Sequence, residues 1–328
     1  MHAILYHTYG SPDILKLEEV ETPVPKDNEV LIKVRAASVN PFDWHFMRGT
    51  PYFLRLMAGL RKPKDKRLGV DVAGQVEAVG RNVTRFKPGD AVFGTCRGAF
   101  AEYACTSESA LVVKPDSVTF EQAASIPIAA LTALQGLRAG GLGDTGQIQP
   151  GYKVLINGAS GGVGTFAVQI AKSFGADVTG VCSTRNVEMV RSLGADRVVD
   201  YTREDFTKSG QRYDLIFDTV GNHSLLAFRR VLNPGGTYIA VGGSSGKWMI
   251  GPLISALAAP VLSRFVSQKM IMVLAKLNKE DLAILCELMK AGKVTPVIDR
   301  RYKLSDVPEA IRYLEEGHAR GKVVITLE

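Results

Sequence analysis

The feature that most restricts what this chain can fold into is the run Val154-Leu-Ile-Asn-Gly158-Ala-Ser-Gly161-Gly162-Val-Gly164. An apolar strand pattern passes through small residues straight into an amphipathic helix pattern. Gly161 allows a backbone to approach a pyrophosphate, Gly164 lets the helix pack closely on the strand, and the helix N-terminus offers unpaired N–H groups with partial positive charge. Ala159 stands at the first glycine position of the fingerprint, where the turn need not require positive φ. A flexible glycine turn is the competing reading, but a strand before and a helix after make the motif specific. Ala159, Ser160, Gly161, Gly162, Val163 and Gly164 are therefore expected to cradle a dinucleotide.

Around this turn the sequence alternates helices with short, doubly apolar strands. A helix is predicted over Glu121–Ala139, then strand 153–157, helix 162–174, strand 177–182, helix 187–193, and strands at 197–199, 215–218 and 237–241. That rhythm is a parallel sheet covered on both faces, the doubly wound Rossmann α/β fold. The first third reads differently, as short strands at 3–6, 15–20, 30–39, 74–79, 91–93, 100–104 and 111–114, separated by Pro and Gly turns. Helices at 281–291 and 307–316 and a strand at 323–327 are expected to return to that β-rich part. The 328 residues exceed one simple core. They divide into 1–120 with 279–328, and 121–278.

Composition excludes several classes. Hydrophobic residues at 46% and charged residues at 22% describe a globular chain. The net charge of +7 is spread along the sequence, and its densest cluster, Arg61 to Arg67, contains Asp65 and reads as a solvated loop. Without a helix-turn-helix or zinc-finger pattern, no nucleic-acid partner is expected. Four cysteines without CxxC spacing read as reduced thiols, and an N-terminus without signal-peptide character points to the cytoplasm. The apolar stretch Trp248 to Ala275 is no membrane span, because its longest uncharged part holds about 16 residues with Pro252 and Pro260 inside, against about 20 needed. It reads as a buried helix or a subunit contact.

Cofactor choice is written where the second strand ends, at Cys182-Ser183-Thr184-Arg185. An NAD site would carry Asp or Glu there for the ribose hydroxyl. Ser183, Thr184 and Arg185 instead suit a 2′-phosphate, so NADPH is the expected cofactor. Tyr201 can stack on adenine or reach the phosphate, and equally suits a surface position. Val241-Gly242-Gly243 ends a strand where backbone groups can meet the nicotinamide carboxamide.

Four motifs together resemble a known family: Glu29-Val-Leu-Ile-Lys-Val, Gly69-Val-Asp-Val-Ala-Gly74, Lys87-Pro-Gly-Asp-Ala-Val-Phe-Gly94, and the Gly158–Gly164 loop with Gln169 and Lys172. The chain resembles the medium-chain dehydrogenase/reductase superfamily, in its quinone oxidoreductase (zeta-crystallin-like) branch. The resemblance implies a GroES-like catalytic domain, a Rossmann domain of six parallel strands, and a homodimer formed partly through Lys269–Ala275. Where the zinc-dependent branch carries Cys, His and Cys, this chain has Asn40, Val70 and Ile128, so no metal is expected. Without a Lewis acid, conjugated acceptors remain feasible: quinones or α,β-unsaturated ketones and aldehydes. Two alternatives stay open, another zinc-free carbonyl or alcohol oxidoreductase and an NADPH-binding protein with an interaction role.

By the same resemblance, Asn40-Pro-Phe-Asp-Trp-His45 is the active-site loop. Asn40 would donate to a ribose or substrate oxygen, while Asp43 holds the loop by local hydrogen bonds. His45 can shuttle protons or sit on the surface. Tyr52 falls near the spacing at which related enoyl reductases carry a proton-donating tyrosine. Thr132 would lie near the nicotinamide, or pack its methyl group within its helix.

Overall fold

The computed structural model describes residues 1–141, 151–241 and 267–327. They form two compact units. One comprises Met1–Leu131, Leu277–Gly292 and Pro296–Glu328; the other comprises Thr132–Lys276 and Lys293–Thr295. No helix of the described residues is long and apolar enough to cross a membrane.

In the second unit the consecutive apolar residues Val154, Leu155 and Ile156 are all fully buried, as a central strand covered on both faces requires. Six parallel strands run in the order Arg197–Asp200, Asp177–Cys182, Lys153–Asn157, Tyr213–Asp218, Leu232–Ala240 and Lys269–Met272. Helix Gly162–Ser173 follows the central strand. Two glycines set the turn between them. Gly158 has φ of 88°, and a Cβ there would lie 2.2 Å from Thr219 Oγ1. At Gly164 a Cβ would lie 2.0 Å from the Gly158 carbonyl oxygen, so only glycine lets this helix approach the strand. The left-handed conformation thus falls on Gly158, one residue ahead of Ala159, which is buried. Gln169 pins the same helix to the end of the unit, donating to Thr295 O at 3.0 Å and accepting from Thr295 N at 2.8 Å.

The first unit is built on a seven-stranded sheet. Its path runs Ile298–Lys303, Lys322–Thr326, Glu29–Val39, Asp71–Val79, Ala91–Thr95 and Leu111–Val113, with Tyr103–Ser107 paired to Glu29–Val39. The core inside it gathers Ile32, Val34, Val72, Val92, Phe100 and Val323 with Ile311 of helix Val307–Glu315. Helix Pro41–Arg48 leaves the end of the long central strand, with Pro41 at its first turn where the missing N–H is harmless. The Arg48 guanidinium pairs with Glu315 of the C-terminal helix.

The structure differs from the sequence expectation at four places. The single helix expected over Glu121–Ala139 is two, Phe120–Ala124 and Pro127–Ala139. Pro127 lacks the N–H that a continuous helix needs. The unit division falls inside the second helix, between Leu131 and Thr132, because the preceding turn is held to the β-rich unit by Ile128 N donating to Asp71 Oδ1 at 3.0 Å. The strand expected over 100–104 begins at Tyr103, since Phe100 is drawn inward by backbone bonds to Leu68 and Ile4. Strand Ile298–Lys303, polar along most of its length, escapes the pattern altogether.

The Gly164→Ala variant is expected to lose roughly 3 kcal/mol of stability, the upper end for overpacking, because its Cβ meets backbone that cannot yield. Denaturant unfolding of both proteins measures it.

Candidate active site

In the first unit, strand Glu29–Val39 delivers Ser38 and Asn40 to a fully buried carboxylate, Asp71, which opens the neighbouring strand. Asp71 Oδ2 accepts from Ser38 Oγ at 2.8 Å and from Asn40 Nδ2 at 2.9 Å; Oδ1 accepts from Ile128 N. The cation of this cluster arrives from the far end of the chain. Lys322 Nζ donates to Asn40 Oδ1 at 2.7 Å and lies 3.5 Å from Asp71 Oδ2. Burial pushes the Lys322 ammonium down in pKa, and Asp71 opposes that shift. A lone charge buried here would be untenable, and the pair with its surrounding donors removes the difficulty.

A second buried carboxylate, Asp43, caps helix Pro41–Arg48. It accepts from Asn40 N at 2.7 Å and from Gly69 N at 3.2 Å. Burial is the main cause that raises its pKa to about 7. Asp43 therefore holds the loop, as the sequence reading anticipates.

Asn40 is placed differently from the expectation of an open donor. The expected donor to substrate or ribose is buried, with Nδ2 given to Ser38 O and Asp71 and Oδ1 taken by Lys322. Within the protein its amide bonds hold the start of helix Pro41–Arg48 to Asp71 and Lys322. His45 is half-buried, stacks on Trp44, and has Nδ1 bonded to Thr50 O at 2.8 Å. Burial lowers its pKa. Nδ1–H is committed to that carbonyl, and in the neutral form of the ring Nε2 is an acceptor. Tyr52 is exposed, its ring 5.0 Å from the Arg55 guanidinium. Thr132, the first residue of the second unit, is buried.

In the second unit, Gly161 caps helix Gly162–Ser173 with extended backbone, and only the Gly158 carbonyl, at 3.5 Å, would be met by a Cβ there. Open space thus adjoins the helix N-terminus, which fits a pyrophosphate. Ser160 and Ser183 are joined through Asn186, whose Nδ2 donates to Ser160 Oγ at 3.0 Å and Ser183 Oγ at 3.2 Å. Asn186 Oδ1 is buried with no partner among the described residues. A buried acceptor left unpaired costs about 1–3 kcal/mol, so a ligand donor here would be favoured. No sequence signal marks Asn186.

The sequence reading finds no carboxylate at the end of the second strand, yet the third strand supplies one. Asp200 pairs in register with Cys182 and accepts from Thr184 Oγ1 at 2.6 Å. The Thr184 and Thr202 hydrogen bonds hold its pKa low. Thr184 therefore has its hydroxyl hydrogen engaged, while Arg185 and Tyr201 remain exposed. Val241 N donates to Asp218 O at 3.0 Å. Gly242 and Gly243 lie outside the described residues.

Residues 26–116 match the alcohol dehydrogenase GroES-like domain family, and residues 193–325 the zinc-binding dehydrogenase family. A mitochondrial NAD(P)H oxidoreductase of Mus musculus is 37% identical over 100% of this chain and 89% of its own. An NADPH-dependent alkenal/one oxidoreductase of Arabidopsis thaliana is 35% identical over 99% of this chain and 79% of its own. The quinone oxidoreductase structure from Coxiella burnetii superposes with TM-score 0.86 at 30% identity, covering 100% and 99% of the two chains.

The chain belongs to the medium-chain dehydrogenase/reductase superfamily. It falls in the zinc-free quinone oxidoreductase branch and is a pyridine nucleotide-dependent oxidoreductase. Against the zinc-binding members of this superfamily, the donor set is decisive. Asn40 Oδ1 faces an ammonium at 2.7 Å, which would repel a metal cation, while Val70 and Ile128 carry aliphatic side chains.

The raised pKa of Asp43 has a direct thermodynamic consequence. Between about pH 4 and 7 the unfolded chain has ionised Asp43 while the folded protein retains its proton, so stability falls as pH rises through that window. Relative to the Asp43→Asn variant, the wild type should lose up to roughly 4 kcal/mol across it, at 1.36 kcal/mol per pKa unit. Denaturant unfolding of both proteins at pH 4.5 and 7.5 checks the sign.

Proposed function

We propose that the protein reduces quinones or α,β-unsaturated ketones and aldehydes with NADPH and without a metal. The observation that carries this reading is the Asn40–Asp71–Lys322 cluster. Where the zinc-binding relatives need ligands, this chain has placed its own cation and used every donor of Asn40. Polarising an isolated carbonyl without a Lewis acid is difficult, whereas a conjugated acceptor delocalises the incoming charge.

When bound, NADPH supplies the hydride. Ala159 to Gly164 and the N-terminus of helix Gly162–Ser173 would hold its pyrophosphate, with Thr132, Val241, Gly242 and Gly243 toward the nicotinamide. Ser183, Arg185 and Tyr201 would take the 2′-phosphate, and Asn186 would place Ser160 and Ser183 with respect to each other. Tyr52 is the proton donor to the enolate, since His45 presents an acceptor. A homodimer and a cytoplasmic setting belong to the same reading. Strand Lys269–Met272 supports the dimer, because among the described residues it is an edge of the six-stranded sheet, a place where a second strand can pair.

NADPH is expected to bind at least about tenfold tighter than NADH, a charge-assisted bond being worth about 1.5–3 kcal/mol. Arg185→Ala should remove most of that difference and leave NADH affinity nearly unchanged. Fluorescence titration of both cofactors decides it; equal affinities in the wild type would shift the weight to Asp200.

Tyr52→Phe should slow enone reduction by about 10²–10⁴-fold, the ordinary contribution of a positioned acid. Quinone turnover should persist, since a reduced quinone takes its protons from solvent. His45→Ala should affect neither reaction through proton transfer. Steady-state rates with one enone and one quinone test the three statements, and an unaltered enone rate in Tyr52→Phe removes the tyrosine from the chemistry.

A further inference from the structure

The basic run Arg61-Lys-Pro-Lys-Asp-Lys-Arg67 follows directly on a segment that the structure shows to be apolar and outward-facing. Phe53 is 47% exposed, Leu56 71%, Met57 76% and Leu60 67%. Single exposed apolar side chains are ordinary, but a cluster of this density in one short segment is not.

The segment is scaffolded from within. Tyr9 Oη donates to Gly59 O at 2.6 Å, and Arg55 Nε donates to Gly49 O at 2.9 Å. The Arg55 guanidinium lies 4.5 Å from the Tyr9 ring centre. Gly59 N returns to Arg55 O, and Lys64 N donates to Ala58 O at 2.8 Å, tying the basic run to the apolar turn. At Gly59, with φ of 124°, a Cβ would meet Lys62 O at 2.1 Å, so the two stretches are locked closely together. The polar groups named are satisfied inside the loop while the apolar side chains are held outside it.

The charge beside them is predominantly positive. Arg61, Lys62, Lys64, Lys66 and Arg67 are exposed, and the run's one carboxylate, Asp65, is gripped by Arg67 through two 2.9 Å bonds. Apolar side chains bordered by cations are complementary to a surface whose phosphates overlie a hydrocarbon phase. A nucleic-acid backbone would match the cations alone and leave Leu56 and Met57 in water.

We propose that this face docks on the surface of an anionic phospholipid bilayer. Phe53, Leu56, Met57 and Leu60 enter the acyl boundary, and Arg61, Lys62, Lys64 and Lys66 meet lipid phosphates. The protein then lies on the membrane without crossing it. Docking would bring the enzyme to the phase in which apolar quinones and enones dissolve, a consequence that rests on the function proposed above, whereas the docking itself does not.

The test uses the whole protein, sedimented with phosphatidylcholine vesicles and with vesicles containing phosphatidylglycerol. Binding is expected to the anionic vesicles only and to fall steeply with added salt. The Lys62→Ala/Lys64→Ala double variant should bind roughly 25-fold more weakly, about fivefold per cation removed. It should retain its turnover of a water-soluble quinone. Leu56→Ser/Met57→Ser should weaken binding at least about tenfold, and Lys208→Ala/Lys290→Ala should not. Wild-type protein left in the supernatant at low salt overturns the proposal, as does undiminished binding by either loop variant. Tight binding to an oligonucleotide that ignores Leu56→Ser/Met57→Ser, with no vesicle binding, would reassign the cations to a polyanion. Vesicle binding without turnover of quinones or enones would leave the docking face standing and remove the enzymatic reading.

Discussion

A carboxylate with no access to water must be answered by donors, and the answer given to Asp71 organises the first unit. Ser38 and Asn40 come from the end of the central strand, Ile128 from the turn before a helix, and Lys322 from the last strand. Four segments remote in sequence are thereby fixed to one point. Removing one member would leave a buried charge or dipole unmatched, at a penalty of several kcal/mol. The loop at Asn40 inherits its geometry from this arrangement, because Asn40 is both a member of the cluster and the residue from which helix Pro41–Arg48 departs.

The second unit solves a different problem with a different device. It must bring a helix N-terminus to the end of a parallel strand, and a side chain at either critical position would prevent the approach. Gly158 answers with backbone conformation and Gly164 with the absence of a Cβ. Beside the turn, Asn186 joins Ser160 to Ser183, and its Oδ1 has no partner among the described residues. The one unit is thus rigid through charge and the other through close packing of backbone.

These devices also separate roles that residue type alone confuses. Asn40 and Asp43 are residue types that suit chemistry, yet their polar atoms described above are bonded within the protein. Tyr52 lies on the solvent side, within the loop whose apolar side chains face outward. The loop that Tyr9 holds through Gly59 thus carries an exposed phenol and exposed apolar side chains followed by a basic run.

The amino-acid sequence by itself determined the Rossmann sheet, the glycine turn and the lack of zinc donors. Each is a local property: periodicity within a strand or helix, small residues at fixed spacing, or the identity of one side chain. The break before Pro127 was equally local and readable from its missing N–H. Only the tertiary structure decided what Asn40, Thr184 and Lys322 do. Lys322 lies 282 residues from Asn40, and Asp200 reaches Thr184 only because two parallel strands pair in register. Burial and hydrogen-bond partnership are relations between distant segments, and the strength of a buried charge depends on those relations alone.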